Sequence, residues 1–392
     1  MRSLTSSFRR AFSLFVIAAI ASGGCAGGRS SVGVKSHVLD EKYRIAVLPI
    51  ENLSGAPAPF KDLRDSMMQK IKQLGIALLG EEELERFMEK QRVRYIGGLE
   101  GPTAAAFKAE ADTDAVLITS LERYDETFPP KISLLCRLVS TGEHPSVLWT
   151  DRVGLSGDDS PGILGLGIVE NPHVLVEKAL SRLTDALAGY LSTAAGRGEG
   201  AGSAFASGNL YQSYKVSGRG TFRPKAEYRS IVIHPERTYR VAVLPFQNLS
   251  MRKNAGEIVA LHFIGQLSKR ANISVVEPGV IRQEMLAKRI IMSAGVSLAD
   301  VDLLSDYPEV DLIVSGTVFS YQDSTGYSGT PKVDFSAQVI DRKSKEVVWV
   351  SESRNEGDDG VMFFDLGRLN TENAMASEMV GITVGQMMSE QN

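Results

Sequence analysis

The chain has 392 residues, 43 % hydrophobic and 23 % charged, with a net charge of −4. That length suggests about two or three globular domains, and the mildly acidic balance argues against nucleic acid as a partner, because phosphate binding needs a basic field. The only cysteines are Cys25 and Cys136, so a lipidated Cys25 would leave Cys136 without an intramolecular partner and the fold without a disulfide.

The first segment reads as an export signal. Arg2, Arg9 and Arg10 form a positive start, residues 11–21 are apolar and uncharged, and small residues lead up to Cys25. The apolar run is shorter than the roughly 20 residues a membrane-spanning helix requires. The order predicts a lipoprotein signal over 1–24, lipidation at Cys25 and a tether over 25–42. Ser22 stands where a lipobox usually carries an aliphatic residue, so ordinary secretion stays open. An uncleaved anchor helix also stays open, although Gly23, Gly24, Gly27 and Gly28 would break it. The net charge falls from −4 to −7 once the three arginines leave with the signal.

The rest of the chain is written twice. YRIAVLPIENLS (43–54) recurs as YRVAVLPFQNLS (239–250), with nine of twelve positions identical. DAVLITSLERY (114–124) matches DLIVSGTVFSY (311–321), and VLWTDRVGLSGDD (147–159) matches VVWVSESRNEGDD (347–359). A period near 200 residues predicts a domain duplication, with repeat 1 over 43–192 and repeat 2 over 239–392; it is too long for a solenoid.

In each copy the elements follow the same order. RIAVLPI is a buried strand stopped by Pro49. Leu63, Met67, Ile71 and Leu74 mark one face of a helix, with lysine and arginine opposite. IALL (76–79) is a strand. EEELERFMEK is a helix with acidic residues in its first turn, where the dipole favours them. TAAAFKAEAD is a short helix, and strands follow at 114–124, 132–139 and 146–153. A closing helix starts near Pro172. The order β-α-β-α-α-β-β-β-α predicts two tandem α/β sandwich domains with mixed sheets. Alternation places Ile132, Leu134, Cys136 and Leu138 on one face, with Cys136 where repeat 2 has Ala337, a structural position for the thiol.

Between the copies, residues 193–238 begin as a Gly/Ala/Ser-rich linker, on which repeat 2 would reach away from repeat 1. The segment from Arg219 is basic and aromatic; it reads as an ordered lead-in, an added edge strand or an arm for a partner.

Catalytic signatures are sparse. There is no phosphate-binding loop of the Walker type and no nucleophile elbow. His37, His144, His173, His234 and His262 show no metal-ligand spacing, and no cofactor is expected. PGILGLGIV (161–169) reads as a mobile loop, since it follows the strands instead of opening a nucleotide fold. The repeated Gly-Asp-Asp (Asp158 and Asp159, Asp358 and Asp359) reads as turn chemistry with glycine at positive φ. A cation site or an acid–base pair there is the enzyme alternative.

The string [IV]-A-V-L-P-[IF]-x-N-L-S, with the strand DLIVSGTV and the Val-Val-Trp strand at 347–349, resembles the curli-secretion CsgG-like family. Its periplasmic relatives include the activator LpoB and the TolB amino-terminal domain. The resemblance covers most of each copy. It implies a non-enzymatic lipoprotein on the periplasmic side of the outer membrane, acting as scaffold or adaptor for envelope proteins and leaving a homo-oligomer open. Pore activity is not carried over, because neither copy has a spare amphipathic hairpin of barrel length.

Overall fold

The computed structural model describes residues 43–159, 167–195, 222–230, 233–234, 236–290, 310–323, 329–359, 361 and 368–389. The signal over 1–24, Cys25 and its tether, most of the linker and loop residues 160–166 lie outside them.

Repeat 1 runs β1 (Arg44–Val47), β2 (Glu51–Asn52), α1 (Phe60–Gln73), β3 (Ala77–Leu78), α2 (Glu81–Lys90), α3 (Gly101–Glu110), β4 (Ala115–Asp125), β5 (Lys131–Ser140), β6 (Val147–Ser156) and α4 (Pro172–Ala195). The sheet order is β3-β1-β4-β5-β6: β3, β1 and β4 are parallel, and β4, β5 and β6 form an antiparallel meander. The expected order holds, with the short β2 added beside β4. Helices cover both faces. Leu63, Met67 and Ile71 of α1 and Leu183 and Leu187 of α4 fill one side, while Leu84, Phe87, Ala104 and Phe107 of α2 and α3 fill the other.

Repeat 2 repeats the plan. β8 (Tyr239–Val243), β9 (Gln247–Asn248), α5 (Ala255–Leu267), β10 (Ile273–Val275), α6 (Pro278–Ala287), β11 (Leu312–Gln322), β12 (Lys332–Asp341), β13 (Val347–Glu356) and α7 (Glu372–Met387) give the order β10-β8-β11-β12-β13. Its expected third helix falls in 291–309, outside the described residues. The irregularities coincide as well. β4 bulges between Leu121 and Arg123, and β11 between Val318 and Ser320. A second bulge lies between Leu138 and Val139 in β5, and between Val339 and Ile340 in β12. A bulge shifts every later side chain by one place, so shared bulges keep inside and outside matched across both repeats. Cys136 pairs with Thr119 and Ala337 with Gly316, the equivalence expected from the alternation.

The segment before repeat 2 supplies an edge strand. β7 (Ala226–Arg229) pairs antiparallel with β13, and Glu227 accepts a 2.8 Å hydrogen bond from Trp349 Nε1.

One expectation is corrected. Repeat 2 does not reach away: residues 38–392 form one unit in which repeat 2 lies on repeat 1. The cause is visible in helix chemistry. α1 is amphipathic, whereas α5 (AGEIVALHFIGQL) is buried nearly all round, as a helix must be when it has protein on both sides. β5 is buried from Lys131 to Val139 without a break, while β12 alternates between buried and half-exposed residues. The outer half of sheet 1 is therefore covered, and the same half of sheet 2 is open.

Candidate interaction surface

The sequence candidates disperse. In both repeats the glycine of Gly-Asp-Asp donates its N–H to a proline carbonyl, Gly157 to Pro130 and Gly357 to Pro331, each at 2.8 Å. The second aspartate accepts from the strand-end amide: Asp159 Oδ2 from Ser156 N at 2.8 Å, Asp359 Oδ2 from Glu356 N at 2.9 Å. This is turn chemistry, as expected, but the reason for glycine differs. Neither glycine has positive φ; a Cβ would lie 2.9 Å from Pro130 Cδ or 2.6 Å from Pro331 Cδ. Burial pushes the Cys136 thiol up to about 12, and Thr119 Oγ1 lies 3.4 Å from its sulfur. His144, His173, His234 and His262 stay apart, and among the described residues no three His, Cys, Asp or Glu side chains gather as metal ligands. Among those residues no helix is long and apolar enough to cross a membrane.

What the fold does bring together is the seam between repeats, and its residues were not singled out by the sequence. The Asn-Leu-Ser loop after β2 sits at one end of it. Asn52 folds the loop: its Nδ2 donates to Ala56 O at 3.0 Å and its Oδ1 accepts from Ser54 Oγ at 2.7 Å. The loop presents Leu53, which is 5 % exposed and packs in the core of repeat 2. Arg252 Nη1 donates to Ser54 O at 2.6 Å, Arg252 Nη2 to Glu122 O, and Asn254 Nδ2 to Leu53 O at 3.3 Å.

Beside this loop the first bulge aims Glu122 into the seam, fully buried. Its carboxyl accepts from Tyr321 Oη and Asn373 Nδ2. Burial pushes Glu122 above the ordinary carboxylate range, against the pull of those two donors. His262 lies 3.8 Å away and is driven well below its usual value by burial, so the two face each other as neutral groups instead of an ion pair. Glu372, also buried, is pushed well above its usual range by burial and by Asp323 beside it. Glu372 keeps its proton and shares it with Asp323, which accepts from Lys131 at 3.0 Å and Arg123 at 3.2 Å.

At the far end Arg137, 3 % exposed, meets the fully buried Glu277 at 3.4 Å. Arg137 also donates to Gly97 O, and Leu99 N donates to Glu277 Oε1 at 3.1 Å. Backbones touch here: a Cβ on Gly98 would lie 2.8 Å from Gly279 Cα. Ser146 bridges Val276 between the two sheets, and Arg152 Nε donates to Ser377 Oγ at 2.6 Å along α7. Buried charges with full sets of partners fix one docking register, because any slip would strand a charge in a low dielectric.

Such a fold and seam define a two-module α/β protein held together by a heterologous interface: one surface of repeat 1 meets a different surface of repeat 2. No protein family matches the sequence, and no curated protein is similar to it. Solved structures do resemble parts of it. The PelC dodecamer from Paraburkholderia phytofirmans is 14 % identical, with 42 % of this chain and 97 % of that one covered at a TM-score of 0.30. The lipoprotein GNA1162 from Neisseria meningitidis is 18 % identical, with 37 % and 98 % covered at a TM-score of 0.27. The hypothetical protein CT253 from Chlamydia trachomatis is 11 % identical, with 38 % and 97 % covered at a TM-score of 0.27.

The seam left two signals in the sequence. α5 is apolar on every side, which a two-layer packing would not require. The second signal is the Asn-Leu-Ser motif itself, whose repetition marks a loop kept for a surface.

Proposed function

We propose that this protein is a non-enzymatic lipoprotein of the bacterial envelope, anchored through Cys25 to the periplasmic face of the outer membrane. There it acts as a scaffold or adaptor for proteins of assembly, secretion or peptidoglycan synthesis. The observation that supports this reading best is the role of the most repeated motif. In repeat 1 the Asn-Leu-Ser loop is a docking element, with Leu53 seated in a neighbouring module. The aspartates of both Gly-Asp-Asp turns bond strand-end amides, which favours a structural role over an acid–base one. A lipid on Cys25 and a signal over 1–24 would hold such a docking surface at the membrane.

Two measurements test the reading. Crosslinking in intact envelopes followed by pull-down of the full chain should recover a stable protein partner; repeated recovery of the monomer alone would count against it. Mass spectrometry of the mature N-terminus should find acylated Cys25 as the first residue. An unmodified cysteine or a cut elsewhere would remove the anchor. If substituting Asp158, Asp159, Asp358 and Asp359 abolished cellular function in a chain that still folds, the enzyme alternative would return.

A further inference from the structure

The Asn-Leu-Ser loop is built twice and covered once. In repeat 2, Asn248 Nδ2 donates to Arg252 O at 2.7 Å and Asn248 Oδ1 accepts from Ser250 Oγ at 2.7 Å, the same bonds that shape the loop of repeat 1. Leu249 N donates to Val318 O as Leu53 N does to Leu121 O, both at 2.9 Å. Yet Leu249 is 59 % exposed where Leu53 is 5 %, and Met251 beside it is 95 % exposed. The bulge residue follows the same pattern: Glu122 is sealed in the seam, and its counterpart Phe319 is 48 % exposed.

We propose that this open surface of repeat 2 docks repeat 1 of a second copy of the chain, head to tail, in the geometry the seam already uses within one chain. The occupant is indicated by what the seam shows and by how the two free surfaces differ from it. Inside the chain, the loop of repeat 1 is met by Arg252 and Asn254 at the start of α5, and the contact is polar on both sides. The matching start of α1 reads Ala56-Pro57-Ala58-Pro59-Phe60, and none of these residues is fully buried. Where the inner pair sets Glu122 against Arg252, the outer pair would set Phe319 against Ala56. Both partners change from polar to apolar at the same place, so each free surface suits the other better than either suits the inner one. The helix start around Thr371–Asn373 is buried by the seam, and its counterpart Asn171–His173 is open, with Val174 beside it 53 % exposed.

The outer faces of α1 and of sheet 2 are otherwise polar. The contact therefore has an apolar centre and a wet rim, the anatomy of a reversible association. A heterologous contact leaves one free surface at each end, so it forms chains or closes into rings instead of stopping at two copies.

The proposal takes from the functional reading only that the loop is a docking element. Sedimentation velocity on the full mature chain in mild detergent should show association that grows with concentration. Met251→Asp should weaken it by about tenfold or more, as expected for a central apolar contact. Met251 is nearly fully exposed, so this variant has little fold to lose. Geometry supplies a second arm. A Cβ on Gly55 would lie 3.9 Å from Lys253 Cβ, inside the range of about 3.5–4.5 Å that a disulfide needs. The corresponding pair between copies is Met251 with Pro57. A chain carrying both Met251→Cys and Pro57→Cys should oxidise to a ladder of linked species.

Monomers at every concentration would overturn the proposal, as would association indifferent to Met251→Asp. So would Met251→Cys alone giving as much dimer as the pair, since that would place two repeat 2 surfaces face to face. Binding of phosphatidylethanolamine–phosphatidylglycerol vesicles that depends on Met251, without self-association, would assign the surface to lipid and overturn it too. A different protein captured through Leu249 by a chain that stays monomeric would sink this inference while leaving the adaptor reading intact.

Discussion

The loops at Asn52–Ser54 and Asn248–Ser250 have the same internal hydrogen bonds and opposite surroundings. One is sealed against a neighbouring module and the other faces solvent. The comparison separates what a motif builds from what it is for. Local bonds set the loop's shape in both repeats, but only packing between modules gives the leucine an energetic role. Leu53 and Leu249 are the same residue in the same loop, and their exposures differ by more than tenfold.

Substitutions can break the comparison, and the largest effect is expected at the polar end of the seam. Arg137→Ala would leave Glu277 buried without its cation, a loss of about 3–5 kcal/mol of unfolding free energy. Its counterpart Gln338 is half-exposed, so Gln338→Ala should stay within about 0.5 kcal/mol. Urea unfolding followed by tryptophan fluorescence would compare them, and equal losses would show that the seam is not fixed by this pair.

Next come the leucines. Leu53→Ala should cost about 2–4 kcal/mol, as truncation in a packed core does, while Leu249→Ala in dilute protein should cost no more than about 0.5 kcal/mol. A Leu249→Ala loss matching that of Leu53→Ala would mean that something covers the second loop even in dilute solution.

A smaller and symmetric effect is expected at the turns. Asp159→Ala and Asp359→Ala each remove a carboxylate that accepts a strand-end amide, and each should cost about 1–2 kcal/mol. Near-equal values would sharpen the comparison, because these turns are alike in bonding and lie in both repeats.

The mildest test is pH. Glu372 holds its proton above the ordinary value of 4.5 in the folded chain. As pH rises past 4.5 the unfolded chain ionises this group and the folded chain does not, so stability contributed there declines with rising pH. His262 has the opposite sign: it is neutral when folded, and the unfolded chain takes up a proton as pH falls through 6.5. Glu372→Gln should flatten the alkaline decline in melting temperature, and His262→Leu the acidic one. Both belong to repeat 2 residues buried by repeat 1, so a pH profile unchanged in Glu372→Gln would remove the shared-proton account of Glu372 and Asp323.

Much of each repeat was legible because strands and helices obey local rules. Pro49 ends the first strand, the spacing of Leu63, Met67 and Ile71 sets α1, and alternation along β5 put Cys136 inside. The seam was not legible from the motif comparison, because its chemistry sits where the repeats differ. Glu122 looks like an ordinary surface acid in SLERY, and its partner position holds Phe319. Arg252 and Asn254 lie in a loop whose twin is alanine and proline. Reading a duplication by its identities hides the positions that tell its halves apart. The Gly-rich stretch near residue 200 suggested freedom between modules, and no linker composition reports a buried face 60 residues later in α5.

The edge strand β7 carries a different consequence. Sheet 2 ends at β13, and β7, drawn from the segment ahead of the repeat, occupies the backbone donors and acceptors of Trp349–Glu352. A fragment cut at Tyr239, where the repeated motif begins, would leave that edge bare and Trp349 without Glu227. Bare edges recruit other strands, so such a fragment would tend to clump even with every motif of repeat 2 intact. The border of the repeat, written by ancestry, is not the border of the piece that can stand alone in water.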